Sequence, residues 1–273
     1  MTYLQAIIFG LIQGITEFLP ISSTAHIIIV ELLMGFDFPG LAFEIYLHLA
    51  SALAVIIYFY RDLYEIIRGF IAYIIKRNKK DKVSFYFAIY IIIATFITGS
   101  LGLLLKNSVV DVMKTPYFMG SALIFTAFFL VFIERMHEYG NIEEKDMTYR
   151  HAIIVGLGQT LAVLPGISRS GTTLVASLWS GLSRETAVRY SFILVIPVIL
   201  GSTVLAVGEI GSGMWSSIGT GPLIVSFLSS FIFSIIGIVW LIDILRKSRL
   251  IYLAVYCFIV AGLLFAYANS LVL

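Results

Sequence analysis

Cysteine and charge are both scarce in this chain. Its one cysteine, Cys257, lies in an apolar run, which excludes an internal disulfide and leaves no thiolate metal-binding spacing. Only 12% of the residues are charged against 60% hydrophobic, so no polar domain of any size is left over and the soluble globular range is excluded. The 18 basic and 16 acidic residues leave a net charge of +2, too small, and with bases too confined to loops, for nucleic-acid binding. The opening "MTYLQAIIFG" lacks the basic n-region and small-residue cleavage site of a signal peptide and reads as mature protein. What is present in abundance is apolar sequence, and it predicts an all-α integral membrane protein.

A bilayer core of about 30 Å needs roughly 20 apolar residues per helix. Six stretches qualify as full spans: 41–60, 85–105, 117–134, 188–208, 221–243 and 250–271. Two further apolar regions are interrupted near their middle, 3–36 at "LPISSTAH" and 151–182 at "LPGISRSGTT", and each half is too short to cross. Backbone groups freed at such a break cannot face lipid, so each region predicts a re-entrant helical hairpin buried in protein or lining a wet cavity.

The two breaks resemble each other. Gln13 precedes Ser22 by nine residues and Gln159 precedes Ser168 by nine, with a Leu-Pro pair before each Ser-rich turn. The chain therefore reads as one membrane domain, 1–273, built of two repeats at about 1–140 and 151–273, each a hairpin followed by three spans. Three crossings per unit invert the second repeat relative to the first, so the hairpins dip in from opposite faces and meet near the midplane. Loop charge agrees. The 61–82 loop carries Arg61, Arg68, Lys76, Arg77, Lys79, Lys80 and Lys82 and is cytoplasmic by the positive-inside rule, and alternation leaves only Lys106 and Lys114 outside. Both termini and the mouth of the first hairpin are then extracytoplasmic.

An ionisable group at membrane depth costs at least a few kcal/mol, so Glu17 and Arg169 should face a cavity and be partnered. A structural ion pair would satisfy that requirement. The neighbouring residues point further. Ser22, Ser23 and Thr24 lie where one half-helix begins; Ser168, Ser170, Gly171, Thr172 and Thr173 lie where the other does. Helix N-termini present unpaired N–H groups and a positive dipole end, and two of them face to face make an anion pocket to which hydroxyls add donors. The planar fork of Arg169 suits a phosphate. His26, three residues after Ser23, shares its helix face, the geometry of a base or nucleophile beside a hydroxyl. Glu17 can hold a cation or accept a proton, and Gln13, four residues earlier, can orient it. Glu44 and His48, four residues apart on the first full span, are supporting candidates, as a pair or as cavity lining.

The motifs "QGITEFLPISSTAH" and "LPGISRSGTT", with "FEIYLHLASALAVIIYF" between them, resemble the undecaprenyl-diphosphatase family, also called the bacitracin-resistance family, over the length of the chain. The resemblance implies removal of the terminal phosphate of the C55 isoprenoid diphosphate at the extracytoplasmic face of the cell membrane. The monophosphate carrier for cell-wall assembly is thereby regenerated, with a divalent metal, Mg2+ or Ca2+. It implies catalytic roles for Glu17, Ser23, His26 and Arg169, phosphate binding by Ser168, Ser170 and Thr173, and Glu17 as the metal ligand. The family pattern allows Glu or Gln at Gln13; Gln here removes one metal-binding carboxylate and leaves Glu17. Either Ser23 or His26 can be the nucleophile. The partners implied are the isoprenoid diphosphate, membrane lipids and, as a candidate, a second copy of the chain. The competing class is a secondary transporter or flippase of a phosphate-bearing lipid or small anion, since inverted repeats with broken helices are the usual plan of such proteins. Ser23, His26 and Glu17 speak for chemistry, which anion binding alone does not need.

Overall fold

The computed structural model describes residues 1–36, 38, 41–106, 115–135, 140–209, 218–247 and 249–270, so Lys114 of the loop-charge pattern lies outside the described residues. The described residues form eleven α-helices and two short 3-10 turns, with no strand beyond an isolated bridge between Ile142 and Leu182. Large apolar side chains such as Phe96, Val204 and Leu263 are exposed, whereas Gln13, Glu17 and Gln159 are buried. That distribution suits a surface solvated by hydrocarbon and makes this a multi-pass membrane protein.

Each interrupted region forms a pair of short helices. The first is α1 (Tyr3–Phe18) and α2 (Ser23–Met34), and the second is α7 (Tyr149–Leu161) and α8 (Arg169–Trp179). Thr2 and Gln5 form a capping box that starts α1, and Gly35 ends α2 in the left-handed conformation at φ 68°. Between α7 and α8, Gly166 turns the chain at φ +89°, with Met119 and Ala122 of the neighbouring helix so close that a side chain there would clash.

The spans are α3 (Ala42–Tyr58), α5 (Lys82–Lys106), α6 (Pro116–Arg135), α9 (Arg184–Glu209), α10 (Thr220–Arg246) and α11 (Leu250–Ser270). Five of them are long and apolar enough to cross a membrane alone. The sixth, α3, has 17 residues and reaches that length only together with the next helix, from which it is bent by 77°.

That next helix corrects the expectation of a loop over 61–82. Tyr60–Lys76 is helical, α4, and only the short "RNKKD" turn, 77–81, separates it from α5. Its charges conceal it from a hydropathy window, but all of them except Asp62 share one stripe. Arg61, Glu65, Arg68 and Lys76 are exposed along one face, Tyr60, Tyr64, Ile67 and Ile71 along a second, and Ile66 and Gly69 are buried along a third. Gly69 allows Ser84 of α5 to approach, and Asp62 meets Arg189 of α9 at 2.7 Å. Arg189 also pairs with Glu144, so one guanidinium ties α4 and α9 to the turn at 144–146. Burial pushes the Glu144 carboxyl above the usual carboxylate range, and Arg189 opposes the shift.

Packing partners are exchanged between the halves. α1 lies against α10 as α7 lies against α5, while α3 meets α9 and α6 meets α11. Small residues make the first contact: Gly10 and Gly14 of α1 sit directly on the backbone of Ser226 and Ser230 of α10, and Ser229 donates to the Ile7 carbonyl at 2.9 Å. A Cβ at Gly14 would lie 2.6 Å from the Ser230 carbonyl oxygen, a rigid neighbour. Gly14→Leu should therefore cost about 3 kcal/mol, the upper end of overpacking penalties. Thermal unfolding of the detergent-purified variant would show it; an unchanged midpoint would mean that α1 and α10 do not pack this closely.

Candidate active site

The two hairpin breaks meet. Ser170 Oγ donates to the Leu19 carbonyl at 3.5 Å, and a Cβ at Gly171 would lie 3.3 Å from Pro20 Cβ, so the tips touch with little room for side chains between them. Glu17, the penultimate residue of α1, stands at the junction. Its Oε1 pairs with Arg169 Nη2 across 152 residues of sequence. Its Oε2 accepts from Ser23 Oγ at 2.7 Å and from Gln13 Nε2 at 2.9 Å, and lies 3.0 Å from His48 Nε2. Gln13 thus reaches Glu17 from one turn earlier.

His48 Nδ1 lies 2.5 Å from the Glu44 carbonyl, which can only accept, so the ring proton sits on Nδ1. Its Nε2 is directed at Glu17 and, at 3.5 Å, at Ser23. A carboxylate also only accepts, so the contact with Glu17 is an ion pair when His48 carries a second proton, on Nε2. Glu44 is buried at the start of α3, and it is its backbone carbonyl that holds His48.

The two orphan groups of the site flank Glu17. Arg169 Nη1 is a buried donor, and Gln13 Oε1 a buried acceptor, with no hydrogen-bond partner among the described residues. Such groups cost on the order of 1–3 kcal/mol or more when left unpaired. One suits an anion and the other a cation.

The hydroxyls divide by duty. Ser22 and Ser168 cap their half-helices, accepting from Ala25 N at 3.3 Å and Gly171 N at 3.1 Å. Thr172 and Thr173 are buried and donate to the Arg169 carbonyl at 3.1 and 2.9 Å, so they stand behind Arg169. Ser170 Oγ lies 3.2 Å from Ser168 Oγ, and Thr24 is half-buried on the first turn of α2. The caps satisfy only one amide each, so the first-turn amides of Ser23 and Thr24, and of Arg169 and Ser170, have no helix carbonyl within reach.

His26 is not brought to Glu17 by any hydrogen bond recorded among the described residues. Its Nδ1 lies 2.7 Å from the Ser22 carbonyl and its Nε2 2.8 Å from the hydroxyl of Tyr256 on α11. Sequence reasoning does not find Tyr256: it is one of 15 tyrosines and lies 230 residues from His26. Nor does it find Thr126 of α6, whose hydroxyl accepts from Ser168 N at 3.3 Å and anchors the second tip.

Among the described residues no group of three or more His, Cys, Asp or Glu side chains converges as a metal cage. The donors present still fit a hard divalent cation that takes most of its ligands from a diphosphate: one carboxylate, Glu17, and one amide oxygen without a partner, Gln13 Oε1.

A family model described as Bacitracin resistance protein BacA matches residues 6–263. Undecaprenyl-diphosphatase 2 of Halalkalibacterium halodurans is 57% identical over 268 residues, 98% of this chain and 96% of that protein. Undecaprenyl-diphosphatase 1 of Shouchella clausii is 54% identical over 272 residues, 99% of this chain and 98% of that protein. The undecaprenyl-diphosphatase of Methanosphaera stadtmanae is 40% identical over 266 residues, 94% of this chain and 95% of that protein.

Proposed function

The chain belongs to the Bacitracin resistance protein BacA family, and on that premise we propose how its two hairpin tips carry out the hydrolysis of undecaprenyl diphosphate. The protein is an undecaprenyl-diphosphatase, a hydrolase that returns the lipid monophosphate and inorganic phosphate and so recycles the carrier for peptidoglycan synthesis. This activity fits the resistance to bacitracin for which the family is described. The observation that supports the reading most strongly is the junction itself: a serine hydroxyl 2.7 Å from a carboxylate that is held by an arginine with one terminal nitrogen to spare.

The terminal phosphoryl group is bound by Arg169 Nη1 and by the first-turn amides of α2 and α8. Ser23 Oγ attacks the phosphorus, its proton passes to Glu17, and the bond to the bridging oxygen breaks to release the lipid monophosphate. Water then cleaves the Ser23 phosphoester. Glu17 and Gln13 Oε1 are the groups that would hold a divalent cation, Mg2+ or Ca2+, which when bound would supply charge neutralisation for the leaving phosphate. Gln13 and His48 keep the Glu17 carboxylate in line with Ser23. All these groups come from one chain, so a homodimer is not required for the chemistry.

The basic residues of α4 and the turn after it support a cytoplasmic position for that side, with the site open to the extracytoplasmic face of the cell membrane. Exchange of packing partners between the halves supports two inverted repeats. It also favours a second reading, in which the same pocket passes a phosphate-bearing lipid or a small anion across the membrane. Conversion of labelled C55 diphosphate to the monophosphate by detergent-purified protein decides between them. EDTA should lower the rate by about 100-fold or more and excess Mg2+ or Ca2+ should restore it; intact substrate after incubation with folded, metal-supplied protein would remove the enzyme reading.

A further inference from the structure

His26 spends both ring nitrogens on the protein. The Ser22 carbonyl, 2.7 Å from Nδ1, can only accept, so Nδ1 carries a hydrogen. In the neutral ring Nε2 is then the acceptor, and the hydroxyl of Tyr256, at 2.8 Å, donates to it. The two rings lie nearly parallel, at 10° and 5.6 Å between centroids. A ring so held has no lone pair left for phosphorus or for the proton of Ser23.

The residue that His26 grips is unusual. Ser22 has φ 68° and ψ 97°, one of two non-glycine residues at positive φ among the described residues, a conformation that is costly for a residue with a Cβ. Three bonds hold it there. Its carbonyl accepts from the His26 backbone N at 3.3 Å and from Nδ1 at 2.7 Å, and its Oγ accepts from Ala25 N. The next residue is Ser23, whose hydroxyl is thereby directed at Glu17.

We infer that His26 is a positioning residue, locked by Tyr256 of the last span, that holds the strained turn at Ser22 and through it the line of attack of Ser23. The inference rests on the phosphatase reading and assigns His26 and Tyr256 a role in it that involves no bond to phosphorus.

Asparagine separates positioning from chemistry, because its amide N–H can stand where Nδ1 stands while nothing replaces Nε2. His26→Asn keeps the bond to Ser22 and loses the one to Tyr256, so it should behave as Tyr256→Phe does. Each should lower kcat by about 10-fold with KM within about twofold, and the double variant should be no worse than either. His26→Ala should lose about 10³-fold in kcat. The 15N spectrum of histidine-labelled protein, with His26 assigned by its absence from His26→Asn, should show a ring protonated on Nδ1 and bare on Nε2. Asparagine as inactive as alanine, Tyr256→Phe at wild-type kcat, or a His26 ring protonated on Nε2 would each overturn the inference. A wild type that leaves the lipid diphosphate intact would instead count against the phosphatase reading, and the 15N spectrum would still decide the state of the ring.

Discussion

Ser23→Ala should abolish turnover, with kcat lower by about 10⁴-fold or more, while binding of the lipid diphosphate persists. The hydroxyl carries little of the structure: it donates to Glu17 Oε2, an oxygen that keeps Gln13 and His48 when Ser23 is gone. The variant should therefore unfold at nearly the wild-type temperature. In the wild type, acid quench during turnover should trap phosphate on the peptide containing Ser23, as an ester stable to acid and labile to alkali. Absence of any phosphoenzyme would move the attack to water. An acid-labile adduct would move it to a histidine, which is the alternative left open by the spacing of Ser23 and His26.

Arg169→Ala should cost about 10³-fold or more in kcat/KM, the scale of an arginine that stabilises a transferred phosphoryl group. Here stability changes as well. Arg169 and Glu17 are both largely buried, and removing one partner of such a pair leaves an uncompensated charge at a cost of about 3–5 kcal/mol. The activity must accordingly be measured below the lowered unfolding temperature. Arg169→Lys restores charge without the fork. It should recover most of the stability and no more than about tenfold of the activity, because an ammonium has a single nitrogen and lacks the planar fork that sets Nη2 on Glu17 Oε1 and a second nitrogen, Nη1, toward phosphate. Wild-type turnover by Arg169→Lys would show that the site needs only a point charge.

The parts of this architecture that the sequence discloses are those with a local cause. Spans such as Thr220–Arg246 announce themselves because a membrane helix must be apolar for its whole length. The hairpins do so because Pro20, Ser22, Pro165 and Gly166 break helices where no backbone group can face lipid. Glu17 and Arg169 stand out because charge at depth is costly. α4 escaped since Arg61, Asp62, Glu65 and Arg68 interrupt every apolar window, although at helical spacing Arg61, Glu65 and Arg68 share one stripe and Asp62, on the inward face, is paired with Arg189. The contacts of His26 escaped for another reason. Helical spacing sets Ser23 and His26 on one face, but Ser23 is the first residue of α2 and reaches back to α1, whereas His26 turns to its own cap and to a tyrosine on the last span. Sequence periodicity describes one helix at a time, and the direction of a residue at a helix end is decided by the helices around it.

The account turns on the claim that two hairpin tips, far apart in sequence, form a single catalytic unit. A double-mutant cycle on Glu17→Gln and Arg169→Gln, read as kcat/KM for phosphate release from C55 diphosphate, tests it most directly. Each single variant should lose about 10³-fold, and the double variant should lose no more than about tenfold beyond the worse single, since either change already dismantles the unit. Losses that multiply, or a single variant that turns over at near the wild-type rate, would contradict it.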